Sequence, residues 1–349
     1  MKIAIHHSPN SFSDRWIKYC EKEKIEYKVV DAFDNDIIEQ LNDCDVFMWH
    51  HHHADFKDVT VAKKILFALE HAGVKVFPDF KTGWHFDDKV AQKYLLEAIN
   101  APLVPSYVFY DKQSALDWAK ETTYPKVFKL KGGAGAANVK LVKNYNQCVK
   151  LIKQSFGNGF SQFDRISNFK DSYNKYIKGQ DNFINLLKSM ARLFVNTDFS
   201  KKQSNEKGYI YFQEFMPNNS FDIRVIVIDN KAFAIKRLVR ENDFRASGSG
   251  SIIYNPVEID KDCLKIAFDI SERARFECIA YDFIYNNQGM PLIVEISYGF
   301  SMKAYDTCPG YWDNNLNWYE GEFNPQRWMI QSLCDKIKKS SSLRYAKRR

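Results

Sequence analysis

A chain of 349 residues, 45% hydrophobic and 27% charged with a formal net charge of +7, is an ordinary globular composition with room for two or three cores. No stretch approaches the ~20 apolar residues of a membrane span, and Met1-Lys2-Ile3-Ala4-Ile5-His6-His7 has too short an apolar run for a signal peptide. Seven scattered cysteines without a C-x-x-C pair argue against a zinc module and predict reduced thiols in the cytoplasm.

The chain opens with alternating elements. Lys2-Ile3-Ala4-Ile5-His6 reads as a strand, Ser13 to Lys24 as a helix and Tyr27-Lys28-Val29-Val30 as a second strand. A short helix near Ile37 to Leu41, a strand over Asp45 to Trp49, a helix over Ala62 to His71 and a strand over Val74 to Phe77 follow. Strands alternating with helices imply a parallel sheet, so residues 1–85 are expected to form a small α/β domain. Four consecutive histidines, His50 to His53, follow the third strand. Ligands bind beyond such strand ends, and imidazoles there suit an anion or a transition metal. A solvated polar loop is the favoured reading, because adjacent residues rarely all face one ligand.

Asp87-Asp88 precede Lys89 and a helical run, which an Asp can cap. Pro102 and Pro105 introduce the strand Tyr107 to Tyr110, and Ala115 to Lys120 suggests a helix. Tyr124-Pro125-Lys126-Val127-Phe128-Lys129-Leu130-Lys131 then leads into the loop Gly132 to Asn138 and the strand Val139 to Val142. Small residues let a loop fold over phosphates with its N–H groups exposed, and Lys129 and Lys131 share one face of the strand before it. Neither a Walker A loop nor a dinucleotide fingerprint is present, so a plain glycine-rich hairpin explains the stretch equally well.

Residues 156–207 read as an insertion or lid, with helices expected over Tyr173 to Ile177 and Ile184 to Phe194 and an exposed loop from Ser200 to Lys207. Three strands follow: Tyr209 to Met216, Asp222 to Ile228 and Lys231 to Leu238. Asp222, Arg224, Lys236 and Arg237 interrupt their apolar alternation. A second small-residue loop, Asp243-Phe244-Arg245-Ala246-Ser247-Gly248, precedes a helix over Leu264 to Phe276. A closing helix is expected over Pro325 to Lys338, and the basic tail 336–349 reads as a solvated end.

The most informative stretch is Cys278 to Tyr285, then Asn286-Asn287-Gln288-Gly289-Met290, then Pro291 to Ser297, two β-prone runs around an Asn/Gly turn. With Asn287 to Met290 as the loop, Asp282 faces Glu295. Opposed side chains have Cβ atoms about 4.5–5.5 Å apart, and like charges there repel. A divalent cation removes the conflict, and so does a Lys or Arg partner.

These pieces, in this order, resemble the ATP-grasp superfamily, most closely the carboxylate–amine ligases related to ribosomal-protein-S6 glutamate ligase and glutathione synthetase. The resemblance runs from about Asp88 to Phe300, apart from the insertion. It rests on Asp88-Lys89, Pro125 to Lys129 with its glycine loop, Gln213-Glu214-Phe215-Met216, Asp222-Ile223-Arg224, Asp243 to Ser247, Asp282, and Glu295-Ile296-Ser297. It implies an α/β and α+β architecture, the ATP-grasp fold: an N-terminal α/β domain over 1–85, then two α+β subdomains over 86–335 gripping ATP. Lys89 and Lys129 would bind phosphates, backbone around Gln213 to Met216 the adenine, and Asp222 the ribose. Lys236 and Ser247 would also contact nucleotide. Asp282 and Glu295 match magnesium ligands, with Mn²⁺ an alternative ion. Ser297 stands where the family usually has Asn, and as a third metal-site residue its hydroxyl would coordinate weakly or through water. Arg224, Arg237 and Arg245 are candidates to hold the acyl substrate and the transferring phosphoryl group. The implied activity is an ATP-dependent ligase joining a small-molecule or peptide carboxylate to an amine through an acylphosphate. Phosphoryl transfer to a hydroxyl is the alternative. A nucleic-acid binding module ranks last, and self-association is left open.

Overall fold

Four short strands, β1 (Lys2–His6), β2 (Glu26–Val30), β3 (Val46–Trp49) and β4 (Lys75–Phe77), pair in parallel in the order β2-β1-β3-β4. The structure is a computed structural model that describes residues 1–132, 138–161, 205–240, 244–245 and 251–346, together with Tyr173, Tyr176, Asn182 and Met190. The connecting helices are α1 (Phe12–Glu23), α2 (Ile37–Gln40) and α3 (Phe56–His71). Ser11 caps α1 and Asp55 caps α3, each accepting from backbone N–H groups of the first turn. Ala62, Leu66 and Leu69 of α3 cover one face of this sheet. On the other face, Ile3, Ile5 and Met48 join Phe12, Trp16 and Tyr19 of α1 in the main core of the molecule. The strand order reverses between β1 and β3, which leaves a crevice at their carboxyl ends.

After α4 (Phe80–Gly83), helix α5 (Lys89–Ala98) starts at Asp88, whose carboxylate accepts from the Val90 and Ala91 N–H groups at 3.1 and 2.9 Å. Strands β5 (Ser106–Phe109), β6 (Lys126–Lys129), β7 (Lys140–Val142) and β8 (Ile210–Glu214) form an antiparallel sheet in the order β5-β8-β6-β7. Helices α6 (Lys112–Glu121) and α7 (Tyr145–Ser155) pack on it through Ala115, Ala119, Cys148 and Ile152. The sequence reading had passed over α7.

The third sheet runs β13-β12-β9-β10-β14-β15, with β11 (Ile252–Ile253) beside β10. Its strands are β9 (Phe221–Ile228), β10 (Lys231–Leu238), β12 (Cys278–Tyr285), β13 (Pro291–Ser297), β14 (Gly310–Asp313) and β15 (Trp318–Glu320). Helix α8 (Lys261–Ala274) and the closing helix α9 (Pro325–Ala346) back it. Helix α9 runs past Lys338 into the stretch read as a solvated end. Strands β14 and β15 lie in an aromatic segment that carries Tyr311, Trp312, Trp318 and Tyr319. Residues 133–137 of the expected glycine loop and most of the insertion lie outside the described residues; of the helices expected at Tyr173 to Ile177 and Ile184 to Phe194, only Tyr173, Tyr176 and Met190 are described, and these are helical.

Two further points bear on packing. All seven cysteines are free. Glu277, at the entry to β12, is buried against Lys336 of α9, and its Oε2 has no hydrogen-bond partner. Burial, reinforced by Asp79, pushes its carboxyl up to about 7. A carboxyl that binds its proton more tightly folded than unfolded stabilises the fold at low pH and loses that contribution as pH rises through its folded pKa. Between pH 5 and pH 8 Glu277 should therefore contribute a decline in the unfolding midpoint, read as the difference between the wild-type and Glu277→Gln profiles. Parallel profiles for the two proteins would count against this role.

Candidate active site

The three sheets converge on a cleft of about 1030 Å³, at the upper end of the roughly 300–1,000 Å³ common for small-molecule sites. One wall comes from the third sheet, where Asp222 and Arg224 of β9, Arg237 of β10, Asp282 of β12 and Glu295 of β13 project from one face.

Asp282 does face Glu295, but by a different route from the one expected. The loop has five residues, Asn286 to Met290, closed by Asn286 N–H donating to Met290 O at 3.0 Å, and Gly289 adopts φ 75° within it. Tyr285 consequently pairs with Pro291 and Phe283 with Ile293. A bulge at Val294 then restores the Asp282–Glu295 pair. Without that extra residue, Glu295 would turn to the opposite face of the sheet.

Each carboxylate also has cationic neighbours. Glu295 Oε1 lies 3.2 Å from Lys89 Nζ. Asp282 Oδ1 lies 3.3 Å from Arg224 Nε and 3.1 Å from Arg237 Nη2. Burial alone would raise the Asp282 carboxyl, but the two arginines outweigh it and hold it below its ordinary value. Even so, Asp282 Oδ1 is buried without a well-formed hydrogen bond, as is Arg224 Nε. A buried anionic oxygen lacking a hydrogen bond, opposite a second carboxylate, suits a hard divalent cation. Among the described residues no group of three or more His, Cys, Asp or Glu side chains could hold an ion. Substrate oxygens and water would have to complete any coordination shell.

The second sheet supplies the opposite wall. Its junction with the third sheet is fixed by Val104 N–H donating to Ile293 O at 3.0 Å and Ile293 N–H donating to Pro102 O at 2.7 Å. Lys89, the first residue of α5, is held by its own N–H donating to Lys131 O at 2.8 Å. Burial pulls its ammonium down, but Glu295 and Asp87 more than offset this and leave it raised. Lys129 donates to Gln213 Oε1 at 2.7 Å, and burial lowers its ammonium to about 8. Gln213 in turn donates to Ser106 Oγ at 3.2 Å. Glu214 accepts from the buried Lys126 at 2.7 and 2.9 Å and from the Tyr107 hydroxyl at 2.9 Å. Phe215 and Met216 line the cleft just beyond β8, and Arg245 lines it too.

Two sequence assignments change. Asp222 is 0% exposed, and both its oxygens accept from Arg237, Oδ1 from Nε at 2.9 Å. It anchors that arginine and does not reach the cleft to hold a ribose. Lys236 precedes Arg237 on the strand and so points to the other face, where it pairs with Glu258 at 2.7 Å and lies over the Phe221 ring. It is therefore not a nucleotide contact. The Ser297 hydroxyl donates to Gly299 O at 3.0 Å and accepts from Gly299 N–H at 3.2 Å, a local turn that commits its proton. A hydroxyl oxygen keeps a second lone pair, so this turn does not bar Ser297, which lines the cleft, from the cation set. Ser247 lies outside the described residues.

The histidine run is not a solvated loop. His51 is buried among Trp49, Phe86 and Tyr298, and the Tyr298 hydroxyl donates to its carbonyl at 2.6 Å. His50 and His53 are half-buried and only His52 is exposed, while all four line the cleft. Burial lowers His50 to about 3 and His53 to about 4, so both are neutral near pH 7. Their position after β3 was the signal available in the sequence. The packing of Tyr298 and Phe86 against them was not.

A family model described as a RimK-like ATP-grasp domain matches residues 191–308, and one for the ATP-binding domain of the carbamoyl-phosphate synthase L chain matches residues 88–179. Among curated proteins, the alpha-aminoadipate–LysW ligase LysX of Saccharolobus solfataricus is 21% identical over 328 residues, 91% of this chain and 96% of that protein. Among solved structures, a RimK-domain ATP-grasp protein of Sphaerobacter thermophilus superposes with a TM-score of 0.54 at 13% identity, over 95% of this chain and 99% of that one. The ATP-grasp ligase PsnB bound to a minimal precursor gives 0.55 at 12% identity, over 96% and 98%. The D-alanine–D-alanine ligase of Bacillus anthracis complexed with ATP gives 0.52 at 13%, over 88% and 89%.

Proposed function

We propose, from the premise that this chain belongs to the ATP-grasp superfamily, that it is an ATP-dependent carboxylate–amine ligase. A carboxylate oxygen attacks the γ-phosphorus of ATP, giving an acylphosphate and ADP. The nitrogen of an amine then attacks the acyl carbon, so that an amide forms and phosphate leaves as the nitrogen loses a proton. The observation that carries this reading is the set of opposed carboxylates, Asp282 and Glu295, ringed by Lys89, Lys129, Arg224 and Arg237 in one cleft.

In this reading Lys89 and Lys129 bind phosphate oxygens, and the segment Glu214 to Met216 borders the adenine. Gln213 holds Lys129 in place through its side chain. Arg224 binds the acyl carboxylate and stabilises charge on the transferring phosphoryl group. Arg237, pinned by Asp222, keeps Asp282 ionised and oriented, and Arg245 sits beside the phosphates. Asp282 and Glu295 would hold Mg²⁺, which would neutralise phosphate charge as it does in phosphoryl transfer generally. The N-terminal sheet, residues 1–85, closes the cleft over the second substrate.

Release of ADP from ATP tests the reading, measured with pooled carboxylic acids and pooled amines offered separately and together. The expected result is ADP and free phosphate in equal amounts, only when an acid and an amine are both present. Phosphate retained on an acceptor would mean a kinase, and turnover without an amine would overturn the ligase reading.

A further inference from the structure

The reaction machinery described above leaves one part of the cleft unexplained, where the carboxyl ends of β1 and β3 meet the strap that follows β13. It is lined by Lys18 of α1, His50, Gly299, Phe300, Ser301 and Lys303.

His50 stacks on the Phe12 ring at a centroid distance of 3.7 Å and an interplanar angle of 5°. Its Nδ1 accepts from the Phe12 backbone N–H at 3.2 Å. A neutral imidazole that accepts at Nδ1 carries its proton on Nε2. The first turn of α1 therefore fixes both the plane and the tautomer of this ring. Nε2–H has no partner among the described residues and is left facing Gly299, where an added Cβ would lie 3.6 Å from it. The turn at Gly299 is itself tied down by the Ser297 hydroxyl.

The charges nearby are uneven. Arg15 is neutralised by Asp306 at 2.7 Å and also touches Gln326, and Asp14 accepts from Asn10 N–H at 2.8 Å. Lys18 and Lys303 are exposed, with no hydrogen bond or ion pair among the described residues. What remains is one oriented N–H donor and two ammonium groups, against the single carboxylate of Asp14 one turn before Lys18 on α1.

We infer that this compartment binds a carboxylate of the non-nucleotide substrate other than the one that reacts, with His50 Nε2–H as its fixed hydrogen-bond donor and Lys303 and Lys18 as its counter-charges. The inference deepens the ligase reading and rests on it. It makes His50 a specificity-determining residue. A neutral donor suits this task because it needs a lone-pair acceptor and keeps its proton across the physiological range, while the lysines supply charge without fixed geometry.

Calorimetric titration at physiological salt, with Mg²⁺ and a non-hydrolysable ATP analogue present, tests this. The probes are L-glutamate, glutarate and glycyl-L-glutamate, each against its neutral partner, L-glutamine, glutaramide and glycyl-L-glutaminamide. The free acids and the dipeptide separate a small-molecule source of the carboxylate from a peptide source. At least one acid should bind the wild-type protein tenfold or more tighter than its amide. His50→Asn keeps an acceptor for Phe12 N–H but loses the distal donor, so it should reduce the preference to under threefold. His50→Gln, which places an N–H near the Nε2 position, should retain most of it. Gly299→Ala sets a methyl in ordinary contact with Nε2 and should shield the donor without touching the histidine. Equal binding of every acid and its amide, or a preference surviving in both His50→Asn and Gly299→Ala, overturns the proposal. A preference for acids with no ADP release from any acid–amine pair would sink the ligase reading and leave this subsite standing.

Discussion

Glu295→Gln should lower turnover by about 10³-fold or more, the scale on which removing one electrostatic group from a reacting centre is felt. The change keeps the shape of the side chain and removes only its charge. Two consequences follow from the geometry. Lys89, 3.2 Å from Glu295, loses its anionic partner, and the opposed pair that could hold a divalent cation is reduced to Asp282 alone. Nucleotide affinity separates these effects. Wild-type protein should bind an ATP analogue more tightly with Mg²⁺ than with chelator, and Glu295→Gln should show little difference between the two. Lys89→Met should weaken binding in both conditions, because it removes a phosphate contact and leaves both carboxylates in place. Circular dichroism should show Glu295→Gln folded, since the bulge that presents Glu295 is set by main-chain pairing. Turnover within tenfold of wild type would remove Glu295 from the reaction.

The second large effect is on stability. Asp222 and Arg237 form a buried ion pair in which both carboxylate oxygens are engaged. Neutralising Asp222 removes one of the two carboxylates beside the buried Arg237, and because Asp282 remains at 3.1 Å the loss should fall below the roughly 3–5 kcal/mol of a charge left wholly uncompensated. Asp222→Asn should lower the denaturant midpoint accordingly, with the slope of the transition unchanged. Its partner Arg237 still has Asp282 at 3.1 Å, so the guanidinium should be drawn toward that carboxylate. A ribose ligand would behave in the opposite way, with intact stability and weakened nucleotide binding. The two readings of Asp222 thus separate on a single purified variant.

Much of the fold was legible from periodicity. The alternation of strand and helix through residue 77 gave a parallel sheet, and β1 to β4 form one. Asp88 was read as a helix cap and caps α5. These features depend on residues near one another in the chain, so local patterning suffices. Legibility failed where side chains answer to distant partners. Lys236 and Arg237 are adjacent basic residues, and nothing in their order says which one faces the cleft. Their opposite directions follow from the pairing of Arg237 with Asp222 across β9 and β10. His50 to His53 read as a polar loop because charge and polarity suggest solvent. They are largely enclosed because Phe86 and Tyr298, both distant in the chain, pack against them.

What the sequence determined by itself was the inventory: two carboxylates on β-prone runs either side of an Asn/Gly turn, two lysines upstream, and arginines inside strands. What only the tertiary structure decided was which of these share a face. The five-residue loop would send Glu295 to the core side of the hairpin, and the bulge at Val294 returns it to the cleft. Strand side chains alternate with a period of two, so one extra residue moves a charge from one side of a sheet to the other. The sequence supplies that residue, but only the packing of β13 against β12 and the Pro102–Val104 segment fixes where it is absorbed.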